Sequence, residues 1–242
     1  NLNKKLGGKI SFYNGDPKEI FNKLSEQYNV KSIYWNRCYE PWRIKRDKDL
    51  KKDLEEKNIH IETHNGSLLW EPWTVLKNDG TPYRVFSPYY KRGCLEAPAP
   101  REPIKEPSLS NIVSNLFDSL SLDDLDLLPD VGWYEDMESL WIPGEDGAKE
   151  KLHKFLDYGL LGYKEGRNFP SRENVSQLSP HMHFGEVSPN QVWYGAQLKE
   201  GEKGIDKDLK HFLSELGWRE FSYSLLYHFP TLPKENLQKK FD

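Results

Sequence analysis

Along the first 65 residues the apolar positions switch between two periods. Residues 9–15, KISFYNG, read as a short strand ending in turn residues. Residues 16–29, DPKEIFNKLSEQYN, carry Ile20, Phe21 and Leu24 at helical spacing behind Asp16 and Pro17, an N-cap followed by a helix-starting proline. KSIYWN at 31–36 returns to strand, DKDLKKDLEEKN at 47–58 is a charged surface helix, and IHIETH at 59–64 is a third strand. Strand, helix, strand, helix, strand predicts βαβ units with a parallel, Rossmann-like sheet. Three strands with two crossovers leave a sheet poorly covered, so earlier strands are expected to be missing from this chain.

Downstream the pattern breaks and then becomes helical. Pro98, Pro100, Pro103 and Pro107 punctuate residues 94–110, which makes a linker, because proline removes backbone donors and resists helix and sheet alike. The acidic, leucine-spaced stretch that follows is expected to lie irregularly over the surface with Trp133 and Trp141 as anchors. From Ala148 onward, AKEKLHKFLDYGLLGY places Leu152, Phe155, Leu156 and Leu160 on one face. SPNQVWYGAQL opens with a capping box of Ser188 and Gln191 and has Pro189 at the first helical position. Residues 206–229 form the longest helical pattern, and Pro230 follows it. The expected organisation is an α/β domain over 1–93, incomplete at its N-terminus, a connector over 94–147, and the beginning of an all-helical domain over 148–242. No internal repeat is visible, which argues against a helical-repeat scaffold.

Composition narrows the class. A chain of 242 residues with 36% hydrophobic and 13% aromatic residues can fill a core although 30% of it is charged. Two cysteines, Cys38 and Cys94, make neither a disulfide framework nor a zinc site, and no apolar run approaches the roughly 20 residues that cross a bilayer. These features, with no signal peptide at the start, are read as those of a cytoplasmic, soluble protein. A net charge of −4 opposes indiscriminate nucleic-acid binding but allows a local basic patch. The chain lacks an initial Met and stops within a charged stretch, as a piece of a longer protein would.

Three segments carry candidate chemistry. In SQLSPHMHFGEVSP, residues 176–189, His181 and His183 lie two apart and point to different faces of a helix, so no metal is expected. Ser179 caps a helix starting at Pro180, and such a helix start beside the hydroxyls of Ser176 and Ser179 suits a phosphate or pyrophosphate. In SELGWREFSYSLLYHFP, Glu215, Trp218, Arg219 and Ser222 fall at i, i+3, i+4 and i+7, one stripe on a helix that is apolar around most of its circumference. That stripe either faces a partner or a cavity, or merely contains a Glu215–Arg219 ion pair. In GYKEGRNFPSREN, Tyr163, Lys164, Arg167 and Arg172 combine an aromatic ring with three cations, fit for a nucleotide or for a solvated basic loop. A glycine-rich turn after a strand, the mark of other α/β nucleotide binders, is absent, since Gly7 and Gly8 come before a strand.

In this order, YWNRCYEPW (34–42), YRVFSPYYKRG (83–93), GYKEGRNFP (162–170), SQLSPHMHFGEVSP (176–189) and ELGWREFSYSLLYHFP (215–230) resemble the DNA photolyase and cryptochrome family. The wording of residues 178–189 is most like class I cyclobutane-dimer photolyases. The resemblance implies a flavoprotein holding FAD in its helical domain and acting as a monomer on damaged DNA. It would place Tyr163, Phe212 and Arg219 at the cofactor, and Val175, Ser176, Gln177, Leu178 and Ser179 at its phosphates and ribityl chain. Arg167, Glu215, Trp218, Arg219 and Ser222 would meet DNA, with Glu215 and Trp218 at the flipped pyrimidine dimer. Val175 departs from the threonine of many relatives and removes one hydroxyl. An antenna chromophore, folate or deazaflavin, would sit near residues 34–42. The activity implied is light-driven repair by a deoxyribodipyrimidine photo-lyase, with this piece alone expected to be inactive. A cryptochrome-type photoreceptor is the alternative.

Overall fold

The computed structural model describes residues 1–114 and 116–241; positions 115 and 242, in the expected connector and helical segment, lie outside the described residues. Helix α1 (Pro17–Gln27) begins where the sequence places it, with the Asp16 carboxylate accepting from the Lys18 amide at 2.7 Å. Strand β1 (Ser32–Asn36), helix α2 (Pro41–Glu56) and strand β2 (His60–His64) complete one βαβ unit in chain order, its strands parallel and paired from Ser32–His60 to Asn36–His64. Helix α2 starts six residues earlier than the charge pattern suggests, because Pro41 supplies a ready N1 residue. Leu50, Leu54, Ile59 and Ile61 form a small core on which Phe21, Val30, Ile33 and Trp35 pack. This small parallel sheet with helices is the α/β class expected.

The expected strand at 9–15 is a correction. Phe12 makes only an isolated antiparallel bridge to Leu120, whose amide donates to the Phe12 carbonyl at 2.8 Å. The Phe12 amide bonds Ser119 Oγ and the Tyr13 hydroxyl donates to the Phe117 carbonyl. Its backbone groups are therefore satisfied by the later chain, which competes with the sheet edge for the same donors and acceptors.

A larger core joins the helices to residues 69–94. Helix α3 (Glu145–Lys154) continues into a π-helical turn, Phe155–Gly159, and buries Leu152, Phe155, Leu156 and Leu160 as the periodicity requires. After it come the short α4 (Tyr163–Gly166) and α5 (Ser179–His183), then α6 (Pro189–Gln197) and the 23-residue α7 (Asp206–His228). The Ser188–Gln191 capping box forms in full. Leu69, Trp70, Tyr89, Tyr90 and Cys94 enter the same core as Leu209, Phe212, Leu216 and Phe221 of α7. At its centre Glu220, 1% exposed, accepts from the amides of Leu69 (2.8 Å) and Trp70 (3.3 Å) and from Arg219 Nη1 (2.9 Å). Burial pushes its carboxyl up to about 7, against the opposing pull of Arg219 and the two amides. Gly217 sits where α7 meets the Tyr90 ring, a close approach that leaves no room for a Cβ.

The proline-rich segment docks at its start, where Trp70 Nε1 donates to the Pro98 carbonyl and Asn190 Nδ2 to the Arg101 carbonyl. Trp141 does anchor the connector, 5.8 Å from the His181 ring and beneath Lys151, but Trp133 is 68% exposed and anchors nothing buried. Among the described residues no helix is long and apolar enough to cross a membrane, and no group of three His, Cys, Asp or Glu side chains is placed to hold a metal ion.

Candidate functional site

Helix α7 organises the site because it carries residues for both of its walls. Near its start, Asp208 accepts from the amides of Gly162 and Lys164, each at 2.8 Å. These bonds cap α4, whose entry at Gly162 needs a left-handed φ of 81°, and so fix Tyr163 and Arg167 beside the next turns of α7. Tyr163 is buried, edge-on to Phe155 at 5.6 Å and to Phe212 at 5.3 Å, while Phe212 lies 4.6 Å from Phe155. The expected cofactor aromatics are thus brought together, and each covers the other. Burial raises the Tyr163 phenol, with Glu215 adding to the effect and Arg167 opposing it.

Arg167 reaches back over Tyr163, its guanidinium carbon 5.5 Å from the ring, and its Nη1 pairs with Glu215 Oε1. That hydrogen bond holds the guanidinium further above its ordinary range. The Glu215–Arg219 pair permitted by their spacing does not form: Arg219 turns to Glu220 and lies 5.0 Å over the Tyr223 ring. Trp218 is 45% exposed, and its inner face stacks on Phe86 at 3.7 Å and 11°. Ser222 is exposed and donates to the Trp218 carbonyl at 2.9 Å. The stripe therefore presents one tryptophan face and one Glu–Arg pair outward, with Arg219 drawn toward the core.

The segment expected to hold phosphates is pinned by Asn174, whose Nδ2 donates to the carbonyls of Gly159 (2.9 Å) and Leu161 (3.1 Å). The lack of a side chain at Gly159 lets the Glu173 carbonyl approach, since an added Cβ would lie 2.9 Å from it. Leu178 is fully buried, whereas Val175, Ser176 and Gln177 line a cleft of about 370 Å³ that also takes in Lys151, Lys154, Ser171 and Arg172. Gln177 adopts a left-handed φ of 52° and accepts from Lys151 Nζ at 2.8 Å. Burial lowers the Lys151 ammonium, helped by its neighbour Lys154. Ser179 corrects the capping expectation: it is the first residue of α5, Leu178 occupies the cap position, and no side-chain cap bond forms. Its hydroxyl is exposed and outside the cleft lining. His181 is packed at 2% exposure with Nδ1 on Glu186 Oε2 at 2.6 Å, and His183 is exposed beside Phe184. Three cations, two hydroxyls and an amide surround the cleft, opposed by one carboxylate, Glu173, which pairs with Lys154 at 3.3 Å. The net cationic donor set fits the pyrophosphate of a dinucleotide cofactor and so agrees with FAD at its phosphate end.

A second hollow of about 260 Å³ lies at the end of β1, lined by Trp35, Arg37, Tyr39, Lys48, Trp73 and Tyr227 among others. Glu71 orders its polar wall, pairing with Arg37 and accepting from the Tyr39 hydroxyl at 2.7 Å. Several contributors were not named from the sequence: Phe86, within the 83–93 stretch, reaches Trp218 from 132 positions away, and Lys151 and Asn174 act only through the folded loop. His211 did have one, standing four residues before Glu215 on the same helix.

Comparisons with known proteins place the chain among its relatives. Residues 2–108 match the family model described as DNA photolyase. A deoxyribodipyrimidine photo-lyase of Agrobacterium fabrum is 36% identical over 247 residues, covering 99% of this chain and 50% of that protein. Cryptochrome-1 of Arabidopsis thaliana is 30% identical over 82% of this chain and 30% of its own length. A crystal structure of a bacterial class III photolyase from Agrobacterium tumefaciens aligns with a TM-score of 0.85 at 36% identity, over 94% of this chain and 47% of that one. Residues 178–189 suggest class I, whereas this solved relative is of class III. The chain spans about half the length of the curated relatives it matches. The chain belongs to the DNA photolyase and cryptochrome family.

Proposed function

We propose that the full-length protein is a deoxyribodipyrimidine photo-lyase, a cytoplasmic monomer that binds cyclobutane pyrimidine dimers in DNA and repairs them with light. The observation that carries the proposal is the face formed by Arg167, Glu215 and Trp218, where an outward aromatic plane stands beside a paired cation and carboxylate. A pyrimidine dimer distorts the stack and so lowers the cost of leaving the duplex, a cost of a few kcal/mol for an intact base. Trp218, held flat by Phe86, gives the extruded bases an apolar wall. Glu215 hydrogen-bonds a pyrimidine edge, and Arg167, released from it, meets a flanking phosphate. Arg219 and Ser222 complete the DNA face from the next turn of α7.

FAD fits the neighbouring cleft. Val175, Ser176 and Gln177 would hold its phosphate and ribityl portion with help from Lys151 and Arg172, the buried Leu178 would only support that segment from behind, and Tyr163, Phe212 and Arg219 would border its flavin side. When bound, reduced FAD would supply, under light, an electron that opens the cyclobutane ring and would recover it once the two pyrimidines are restored. The residues of this chain bind and orient the dimer, exclude water behind Trp218, and bring the Glu215 carboxyl to the pyrimidine edge, where an ionised oxygen accepts from the ring N–H and a protonated one donates to the carbonyl. The hollow between Trp35 and Trp73 is the proposed antenna seat, for a folate or a deazaflavin. By this reading residues 1–93 form the antenna-bearing domain, 94–147 the connector, and 148–242 the first part of the flavin domain.

Blue-light repair of a dimer-containing oligonucleotide by the flavin-loaded full-length protein, beside a Glu215→Ala variant, tests the proposal. Light-dependent repair that falls in the variant supports it. Flavin binding with no repair would move the protein to a cryptochrome-type photoreceptor, the second reading favoured by the likeness to a plant cryptochrome.

A further inference from the structure

One side chain at the DNA face is still unassigned. His211, one turn before Glu215 on α7, brings Nε2 to 3.4 Å from Arg167 Nη1 and to 3.7 Å from Glu215 Oε1. Its ring stands 5.9 Å from that of Tyr163, and its side chain is 31% exposed. Arg167 Nη1 is the same nitrogen that pairs with Glu215. A guanidinium nitrogen has hydrogens to give and no lone pair to offer, so the imidazole must accept at Nε2 and carry its proton on Nδ1. The 3.7 Å separation from Glu215 is too long for a hydrogen bond, which agrees with that tautomer. Nη1 thus gives one hydrogen to the carboxylate and the other to the imidazole, and the long Arg167 side chain is fixed against Tyr163.

We propose that His211 is a positioning residue for damaged-DNA binding: it holds Arg167 through Nε2 so that the guanidinium stays at the DNA face when Glu215 turns to the lesion. This rests on the assignment of Arg167 to DNA given above. Without His211, Arg167 would keep the Tyr163 ring beneath it but only one of these two hydrogen-bonding partners, and that partner is the group the lesion competes for. An arginine carries about 2 kcal/mol of rotamer entropy, so an arginine fixed before binding makes a phosphate contact at lower cost.

The test is the affinity of the flavin-loaded full-length protein for a dimer-containing duplex, measured by fluorescence anisotropy for His211→Ala, His211→Gln, Arg167→Ala and the His211→Ala/Arg167→Ala double variant. His211→Ala is expected to weaken binding by roughly 3- to 10-fold, and His211→Gln, whose Oε1 accepts near the position of Nε2, to recover most of it. In the Arg167→Ala background the His211 change is expected to add nothing, because two residues acting through one contact are not additive. An unchanged affinity in His211→Ala, or an equal loss in both backgrounds, would overturn the proposal. If Arg167→Ala leaves DNA affinity intact, the assignment of Arg167 to DNA fails. The thermal midpoints of the same four proteins then decide for His211: non-additive shifts keep it as the tether of Arg167, and additive shifts refute it.

Discussion

Replacing Glu220 by alanine is expected to cost more stability than any surface change in this chain. The carboxylate is 1% exposed and closes three bonds, to the Leu69 and Trp70 amides and to Arg219 Nη1. Alanine leaves two buried amides without an acceptor, at about 1–3 kcal/mol each, and strands a cation whose side chain is 21% exposed. Breaking a buried pair from one side costs about 3–5 kcal/mol, and the Glu220→Ala loss is expected in that range. Its pH dependence has a definite sign. The folded carboxyl titrates at about 7 against an ordinary 4.5, so folding favours its neutral form. The stability it adds is full below 4.5 and is lost as pH rises through 7, a swing of about 3 kcal/mol. Glu220→Gln keeps an acceptor for the amides and cannot ionise, so its stability relative to wild type should rise between pH 5 and pH 8. Urea unfolding followed by tryptophan fluorescence, with unchanged slope, reads both effects. A Glu220→Ala variant within about 1 kcal/mol of wild type, or a Gln variant that tracks wild type across that pH range, would refute the reasoning.

Other outcomes follow from the same contacts. Gly217→Ala drives a Cβ into the Tyr90 ring and should destabilise the chain by about 1–3 kcal/mol in the same unfolding assay, more than an alanine at the exposed Ser222 of the same helix. Trp218→Ala should cost about 1–3 kcal/mol of affinity for dimer-containing DNA with little change for undamaged duplex, and Phe86→Ala, which frees the indole behind its outward face, should give part of that loss in the same titration. Lys151→Gln should weaken FAD retention by roughly 5- to 30-fold in an absorbance titration, because it removes a charge-assisted bond from the cleft while leaving α3 intact.

Much was legible in the chain itself. The Asp16–Pro17 start of α1, the Ser188–Gln191 capping box and the apolar rows of α3 and α7 depend on interactions within a few residues, so local pattern determines them. The five motif stretches likewise pointed to the family, and they gathered Tyr163 and the Glu215–Trp218 stripe as candidates, with Phe212 added from just before the last of them. What the pattern misjudged were contests between local and distant partners. Residues 9–15 have strand composition, yet their hydrogen bonds go to residues 117–120. Glu215 and Arg219 have the spacing of an ion pair, yet each finds a better partner across the fold, Arg167 in one case and the buried Glu220 in the other.

Sequence alone therefore determined most of the helices, the two paired strands and which side chains carry the charges, hydroxyls and rings of a candidate site, because those properties belong to residues and to short periods. Only the tertiary structure decided how they are used. Asp208 sets Tyr163 and Arg167 against α7, Phe86 lies beneath Trp218 from far along the chain, Lys151 closes on Gln177, and His211 shares Arg167 with Glu215. Each of these is a contact between segments distant in sequence, and its geometry is fixed by the packing of the core between them rather than by any spacing along the chain.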